Sequence, residues 1–356
     1  MDLNRIFMKN ASPTKVGGQA IIEGLMMRGS RAIAVAIREP SGNIHLSIEP
    51  LKAPGKWKKI PILRGIVSFF DSLITGTSIM MDGADVLEKL EREQGRAADE
   101  EPDKLEKWLN EKFGEDKAMD IMLGFSVVLA VIFAVGVFIL LPTFIMNLIK
   151  KAGLNNVVLL NLCEGLIRIV MFIIYVSAIS KMEDIKRVFQ YHGAEHKTIH
   201  CYENGLELTP ENAQTFYTLH PRCGTSFLMF VMIISLLVFS LFGWPDLKTR
   251  ILTRLLCIPL IAGISYEILQ FTGRHDGKLV QILSLPGIML QKLTTAEPDL
   301  KQLEVAIAAM KAVLPSHEDQ SLVVEPWVGE LMADGSMVKN EAETAELIEK
   351  LEKKKK

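Results

Sequence analysis

The chain has 356 residues, with 40 Lys and Arg against 42 Asp and Glu, for a formal charge of −2. That balance excludes a global basic field for nucleic acid, and four cysteines without a CxxC pair exclude a disulfide framework and point to reduced thiols facing the cytosol. The length allows two or more structural units, and the apolar residues are concentrated in blocks.

Residues 1–59 open with MDLNRIFMKNASPTKVGG, which has no apolar core for a cleavable signal peptide, so membrane insertion is expected to use internal spans. VGGQAIIEGLMMRGS (16–30) is punctuated by glycine. No Gly-Lys-Ser/Thr follows, so it is not a P-loop, and its glycines allow close backbone packing. Gln19, Glu23 and Arg28 are its groups able to reach a cytosolic site. RAIAVAIRE and IHLSIEP flank a Pro-Ser-Gly-Asn turn and predict a β-hairpin.

Residues 60–81 are apolar but carry Arg64 and Asp71. Charges at that depth are expensive in hydrocarbon, which favours an interfacial or re-entrant helix over a span. Residues 82–117 are acidic and charge-dense, a helical linker.

Residues 118–278 form the expected membrane core. The run 120–146 has no charge after Asp120, and its length crosses about 30 Å of hydrocarbon. A second span covers 157–180, with Glu164 and Arg168 as an i,i+4 structural ion pair or, alternatively, part of a proton or ion path. A third covers 225–244 and a fourth 251–271, with Arg254 near its start and Glu267 near its end. Loop lysines and arginines are richer before the first span and between the second and third. The positive-inside rule then puts both termini and the loop 181–224 in the cytosol. Residues 279–314 read as an interfacial segment, interrupted by Pro286-Gly287, and an amphipathic helix; residues 315–356 read as a solvated tail ending in lysines that suit a helix dipole or, alternatively, touch a membrane. The fold class is therefore mainly α: a polytopic membrane protein of about four spans, with a small hairpin and cytosolic helical extensions.

The chemistry concentrates in YHGAEHKTIHCYENG and LHPRCG, which hold four of the seven histidines. His192-Gly-Ala-Glu195-His196 reads H-x-x-E-H, the inverse of the zinc-hydrolase H-E-x-x-H. On a helix over 182–204 that continues the second span and stops at Asn204-Gly205, His192, His196 and His200 lie at about 0°, 40° and 80°, and Glu195 at about −60°. His192 and His196 are thus candidate ligands of one transition-metal ion, zinc first, with iron or manganese also suited to imidazole. Glu195 projects beside them as the candidate general base. His220 and Cys223 add two ligands at H-x-x-C spacing, and Glu267 is a carboxylate candidate for the third ligand. Arg274 and His275 are candidates to stabilise a leaving group or oxyanion; Asp276 can orient an imidazole.

Together, GGQAIIEGLMMRG, PILRG, YHGAEHKTIHCYENG, HPRCGTSF and YEILQFTGRHD resemble the YqhQ-like family of bacterial membrane proteins over roughly residues 15–310. That resemblance implies a metal-dependent activity in the cell (cytoplasmic) membrane without naming a substrate. The resulting expectation is a metal-dependent hydrolase at the cytosolic membrane face. A peptide or lipid-linked molecule would be its substrate, the bilayer its partner, and a homo-oligomer a compatible state; no nucleic acid is expected. Two alternatives stand beside it. Intramembrane charges and re-entrant segments suit a transporter or channel component. A closed shell of His192, His196, His220 and Cys223 suits a scaffold with structural metal.

Overall fold

Alternating small and branched residues set the first part of the chain into strands. A computed structural model of the protein describes residues 12–51, 60–93, 108, 111–112, 114–275, 277–319 and 322–353. The extreme N-terminus, most of the acidic linker 94–117 and Asp276 lie outside them. The elements in chain order are β1 (Gly17–Ile21), β2 (Gly24–Arg28), β3 (Ala32–Arg38), β4 (Ile44–Pro50), α1 (Leu63–Glu93), α2 (Glu115–Val135), a π-helical turn (Gly136–Leu140) and α3 (Leu141–Lys151). They continue with α4 (Val157–Ile179), α5 (Glu183–Glu203), α6 (Pro210–Gln214), α7 (Thr225–Ser240), α8 (Leu247–Arg274), α9 (Lys278–Thr294), α10 (Leu300–Glu318), β5 (Trp327–Leu331), β6 (Met337–Lys339) and α11 (Glu341–Lys353). The chain is mainly helical with a small antiparallel sheet.

Two units pack separately: residues 1–95, 176–234 and 255–356 in the first, residues 96–175 and 235–254 in the second. The sheet of the first unit runs β1-β2-β3-β4-β5-β6, antiparallel throughout. The expected hairpin is β3–β4, turned at Gly42 with φ 100°. The sheet extends beyond it in both directions. The glycine-punctuated segment is itself a hairpin, β1–β2, and the C-terminal tail adds β5 beside β4 with Ile44 opposite Leu331. The tail is thus a working edge of the sheet, and its helix α11 buries Thr344 and Leu347.

Period-two burial defines the core. Leu25 and Met27, Ala34 and Ala36, and Leu46 point to one face, where they join Ala306, Ala309, Met310 and Val313 of α10 and Tyr191 and Ala194 of α5. A capping box between Asp299 and Gln302 starts α10. On the other face, Gly76 and Gly83 let α1 approach Gln19 and Ile21; a β-carbon at Gly83 would stand 2.8 Å from Ile21. Here α1 is one helix from Leu63 to Glu93, so residues 60–81 and the start of the expected linker are a single element, and it is not among the helices apolar enough to span a bilayer.

Three helical stretches among the described residues are long and apolar enough to cross a membrane: Gly124–Lys151, Val157–Ile179 and Lys248–Arg274. The expected third span appears as α7, an apolar helix of 16 residues, shorter than the roughly 20 that cross hydrocarbon unaided. In the second unit Glu164 is fully buried. It pairs with Arg254 at 2.6 Å and with its helix neighbour Arg168 at 3.5 Å, and accepts from Thr143 at 2.7 Å. Arg254 is thus the closer partner in a pair expected to be Glu164–Arg168.

Candidate metal centre

Helix α5 is separated from α4 by a turn in which Met182 is extended, and it ends at Asn204 and Gly205, the latter at φ 68°. The expected stop signal therefore acts, although the helix does not continue the preceding span. It faces the core through Tyr191, Ala194, Ile199 and Cys201, which sets the histidine stripe against the loop 215–224 and the end of α9.

The imidazoles are oriented by main-chain carbonyls. His192 Nδ1 lies 2.8 Å from Thr294 O, and His196 Nδ1 lies 2.5 Å from Thr218 O. A carbonyl only accepts, so both Nδ1 atoms carry the proton and both Nε2 atoms present lone pairs. His192 Nε2 is 3.1 Å from Cys223 Sγ. His196 Nε2 is buried without a hydrogen-bond partner. The three ligand atoms lie within 4.8 Å of one another. Burial lowers the His196 pKa to about 4, so the ring is neutral at pH 7, as a ligand must be. Cys223 Sγ receives the N–H of Thr225 at 3.4 Å and lies 3.2 Å from its hydroxyl, donors that suit the charge of a metal-bound thiolate. An orphaned imidazole nitrogen, two tautomers fixed by carbonyls and a thiol fit a transition ion that accepts N and S donors.

A second group adjoins the first. His200, Glu203 and His220 also hold ligand atoms within 4.8 Å. The His196 and His220 rings are 5.6 Å apart, those of His200 and His220 4.5 Å. This group is differently wired. Glu203 is held by the Arg222 guanidinium and by the N–H of Thr14 at 2.7 Å. His220 Nδ1 accepts from the N–H of Arg222 at 3.3 Å, so its Nε2 carries the proton, 3.5 Å from Glu203. Burial lowers the pKa of His200 and pushes that of His220 well down. With Arg222 bound to its only carboxylate, this group is a neutralised polar cluster more than a cation site.

Glu195 reaches the sheet edge, where its Oε1 accepts from Gly18 N–H at 2.8 Å, while staying close enough to His192 for the two charges to interact. Burial raises its pKa, opposed by His192 and by the Gly18 bond. Glu267, the expected carboxylate ligand, is committed elsewhere: it pairs with Arg64 and accepts from Ile62 N–H at 3.0 Å. A neighbouring guanidinium has claimed it. His275 is exposed, with Nδ1 3.0 Å from Phe271 O and its ring stacked on Phe271. Arg274 is also exposed. The adjoining Gly273 lies close to Arg222, where a β-carbon would stand 3.6 Å from its side chain. Of the glycine segment's polar groups, Glu23 pairs with Arg187, Arg28 with Asp71 at 3.5 Å, and Gln19 with Gly76 O at 3.2 Å. None meets the histidines.

Sequence reading misses the supports. Gln291, fully buried on α9, donates to His220 O at 2.9 Å and accepts from His220 N–H at 2.8 Å, fixing the loop that carries Cys223. The signal available for Gln291 is an amide within the apolar second half of α9, and for Glu203 its i,i+3 relation to His200. The carbonyls of Thr218 and Thr294 leave no side-chain signal.

Residues 60–316 match the family described as Protein of unknown function (DUF1385). The chain is 36% identical over 310 residues to "Uncharacterized protein YqhQ" of Bacillus subtilis (strain 168), covering 86% of this chain and 94% of that protein. No solved structure matches.

Proposed function

We propose that this chain, which belongs to the family of unknown function DUF1385, is a metal-dependent membrane enzyme of hydrolase type, with its ion, most suitably zinc, held by His192, His196 and Cys223. The observation that carries this reading is the three-atom set of two carbonyl-oriented Nε2 lone pairs and one Sγ. Three protein ligands leave a position open to substrate, whereas a structural site closes with four. His220, the fourth ligand a scaffold would need, has its Nδ1 occupied by Arg222 N–H, so its Nε2 carries the proton, 3.5 Å from Glu203 and without a hydrogen bond.

A bound ion would polarise a substrate oxygen as a Lewis acid. Glu195, with its pKa raised by burial, is a stronger base toward water than an exposed carboxylate. Arg274 and His275, both exposed at the end of α8, remain the groups proposed to meet a leaving group. In this reading the chain crosses the cell membrane four times, counting the short α7, with both termini and the site on the cytosolic side. A peptide or lipid-linked substrate at the bilayer surface fits that location.

The test is metal content and coordination. Purified protein should hold about one transition-metal ion, with X-ray absorption showing two imidazole nitrogens, one sulfur and one light ligand. The His192→Ala, His196→Ala double variant should hold none. Four protein ligands, or unchanged metal in the double variant, would remove the enzyme reading at this site.

A further inference from the structure

The second unit carries a buried charge imbalance. Its buried side chains include Arg250 and Arg254, with Arg168 half-buried beside them and Glu164 as the one buried carboxylate among the described residues of this unit. Glu164 is used by Arg254 and Arg168. Arg250 is left over. It is 6% exposed, its guanidinium stacks on Trp244 at 3.7 Å, and its Nη2 reaches Pro245 O only at 3.4 Å. Its Nη1 is buried with no hydrogen-bond partner. The nearby carboxylate of Asp246 is engaged by Thr249, whose hydroxyl donates at 2.7 Å.

This arginine lines a cavity of about 430 Å³ together with Arg254, Trp244, Phe239, Phe242 and Thr253. The volume lies within the range of small-molecule sites, about 300–1,000 Å³. Lys150 adds a third cation, 5.9 Å from the Trp244 ring. A buried, unpaired guanidinium is costly unless an anion neutralises it. Its planar fork matches oxyanions bearing two acceptor oxygens. The aromatic lining offers no hydration to such a group but accommodates an apolar body joined to it.

We propose that this cavity binds the phosphodiester oxyanion of a membrane lipid, with Arg250 as the direct donor, Arg254 as the second cation and the aromatic wall against the apolar part. Inorganic phosphate shares the recognised chemistry and is the other source of it. The site lies wholly within the second unit and does not depend on the metal centre.

Full-length protein in neutral detergent would be titrated with phosphatidylglycerol, with phosphatidylcholine and with inorganic phosphate, and occupancy read by native mass spectrometry. One phosphatidylglycerol per chain is expected, held at least about tenfold more tightly than phosphatidylcholine, with about tenfold weakening in Arg250→Gln. Thr253→Trp fills the cavity and leaves every guanidinium in place, so it should weaken binding as well. It decides the matter if Arg250→Gln does not fold. Equal retention of the two lipids, or undiminished phosphatidylglycerol in both variants, would overturn the proposal. Tight binding of phosphate without lipid would overturn the lipid as its source.

Discussion

Glu195 accepts a hydrogen bond from the backbone N–H of Gly18 at 2.8 Å, joining the histidine motif to the glycine segment across 177 residues. The contact is available because β1 is an edge strand, with outward N–H groups unpaired by a neighbour. It also explains why glycine stands there. A β-carbon at Gly18 would lie 2.5 Å from Met26 O and 2.9 Å from the Glu195 carboxyl carbon. Gly18→Ala should therefore lower stability by about 1–3 kcal/mol, as overpacking does. Gly17→Ala, with open space around it, is the control and should be nearly silent. Thermal unfolding of the two in the same detergent checks this; equal effects would mean that Gly18 is not tightly packed against Glu195.

Gly193 makes a second prediction, because it sits between the helix and the carbonyl that orients His192. A β-carbon there would meet Ala296 O at 2.1 Å, and the N–H of Ala296 already bonds to Phe189 O at 2.9 Å. Gly193→Ala must push the 294–296 segment away and with it Thr294 O, the acceptor for His192 Nδ1. Loss of such an orienting contact costs about 10–100-fold in metal affinity. Competition against a chelator, compared with the Gly17→Ala control, measures it. Undiminished affinity would show that Thr294 O does not set the ring.

Much of this arrangement is legible in the sequence because it is local. Helical spacing aligns His192 and His196, and Asn204-Gly205 ends the helix. The β3–β4 hairpin follows from alternation around a turn with Gly42. What is not legible is long-range pairing. Nothing local marks Trp327–Leu331 as the neighbour of β4, since its partner lies some 280 residues earlier. Glu267 and Glu203 illustrate the same limit at the site. Both are carboxylates near the histidines in sequence or topology, and each is decided by which arginine reaches it, Arg64 or Arg222. Backbone carbonyls as imidazole acceptors are invisible to residue type altogether.

Metal-free protein should lose stability as pH falls from about 6.5 toward 4. His196 has a folded pKa of about 4 against 6.5 unperturbed, so in that window the unfolded chain binds more protons. Stability then rises with pH, by on the order of 3 kcal/mol for this group, and is level with respect to it above 6.5. His200 and His220, lowered by burial, add in the same direction. Glu195 opposes them: its raised pKa makes stability fall as pH rises through its folded value. The His196 part is isolated by difference. His196→Gln should flatten the acid limb of a denaturant-midpoint profile, and an unaltered limb would contradict burial of a neutral ring.

The deciding variant for catalysis is Glu195→Gln. A glutamine keeps the volume of the side chain, and its carbonyl oxygen can still accept from Gly18 N–H. Fold, membrane insertion and metal content should therefore match the parent protein. What the amide cannot do is take a proton at neutral pH, the capacity that burial strengthens in the carboxylate by raising its pKa. If Glu195 acts as the base, Glu195→Gln should fail to complement a deletion strain to the same degree as His192→Ala, although only the latter loses metal. If the carboxylate serves only to fasten α5 to the sheet edge, the amide replaces it with little loss and complementation is complete. A metal-replete Glu195→Gln protein that complements fully would therefore remove Glu195 from the chemistry and leave the Gly18 contact as its role.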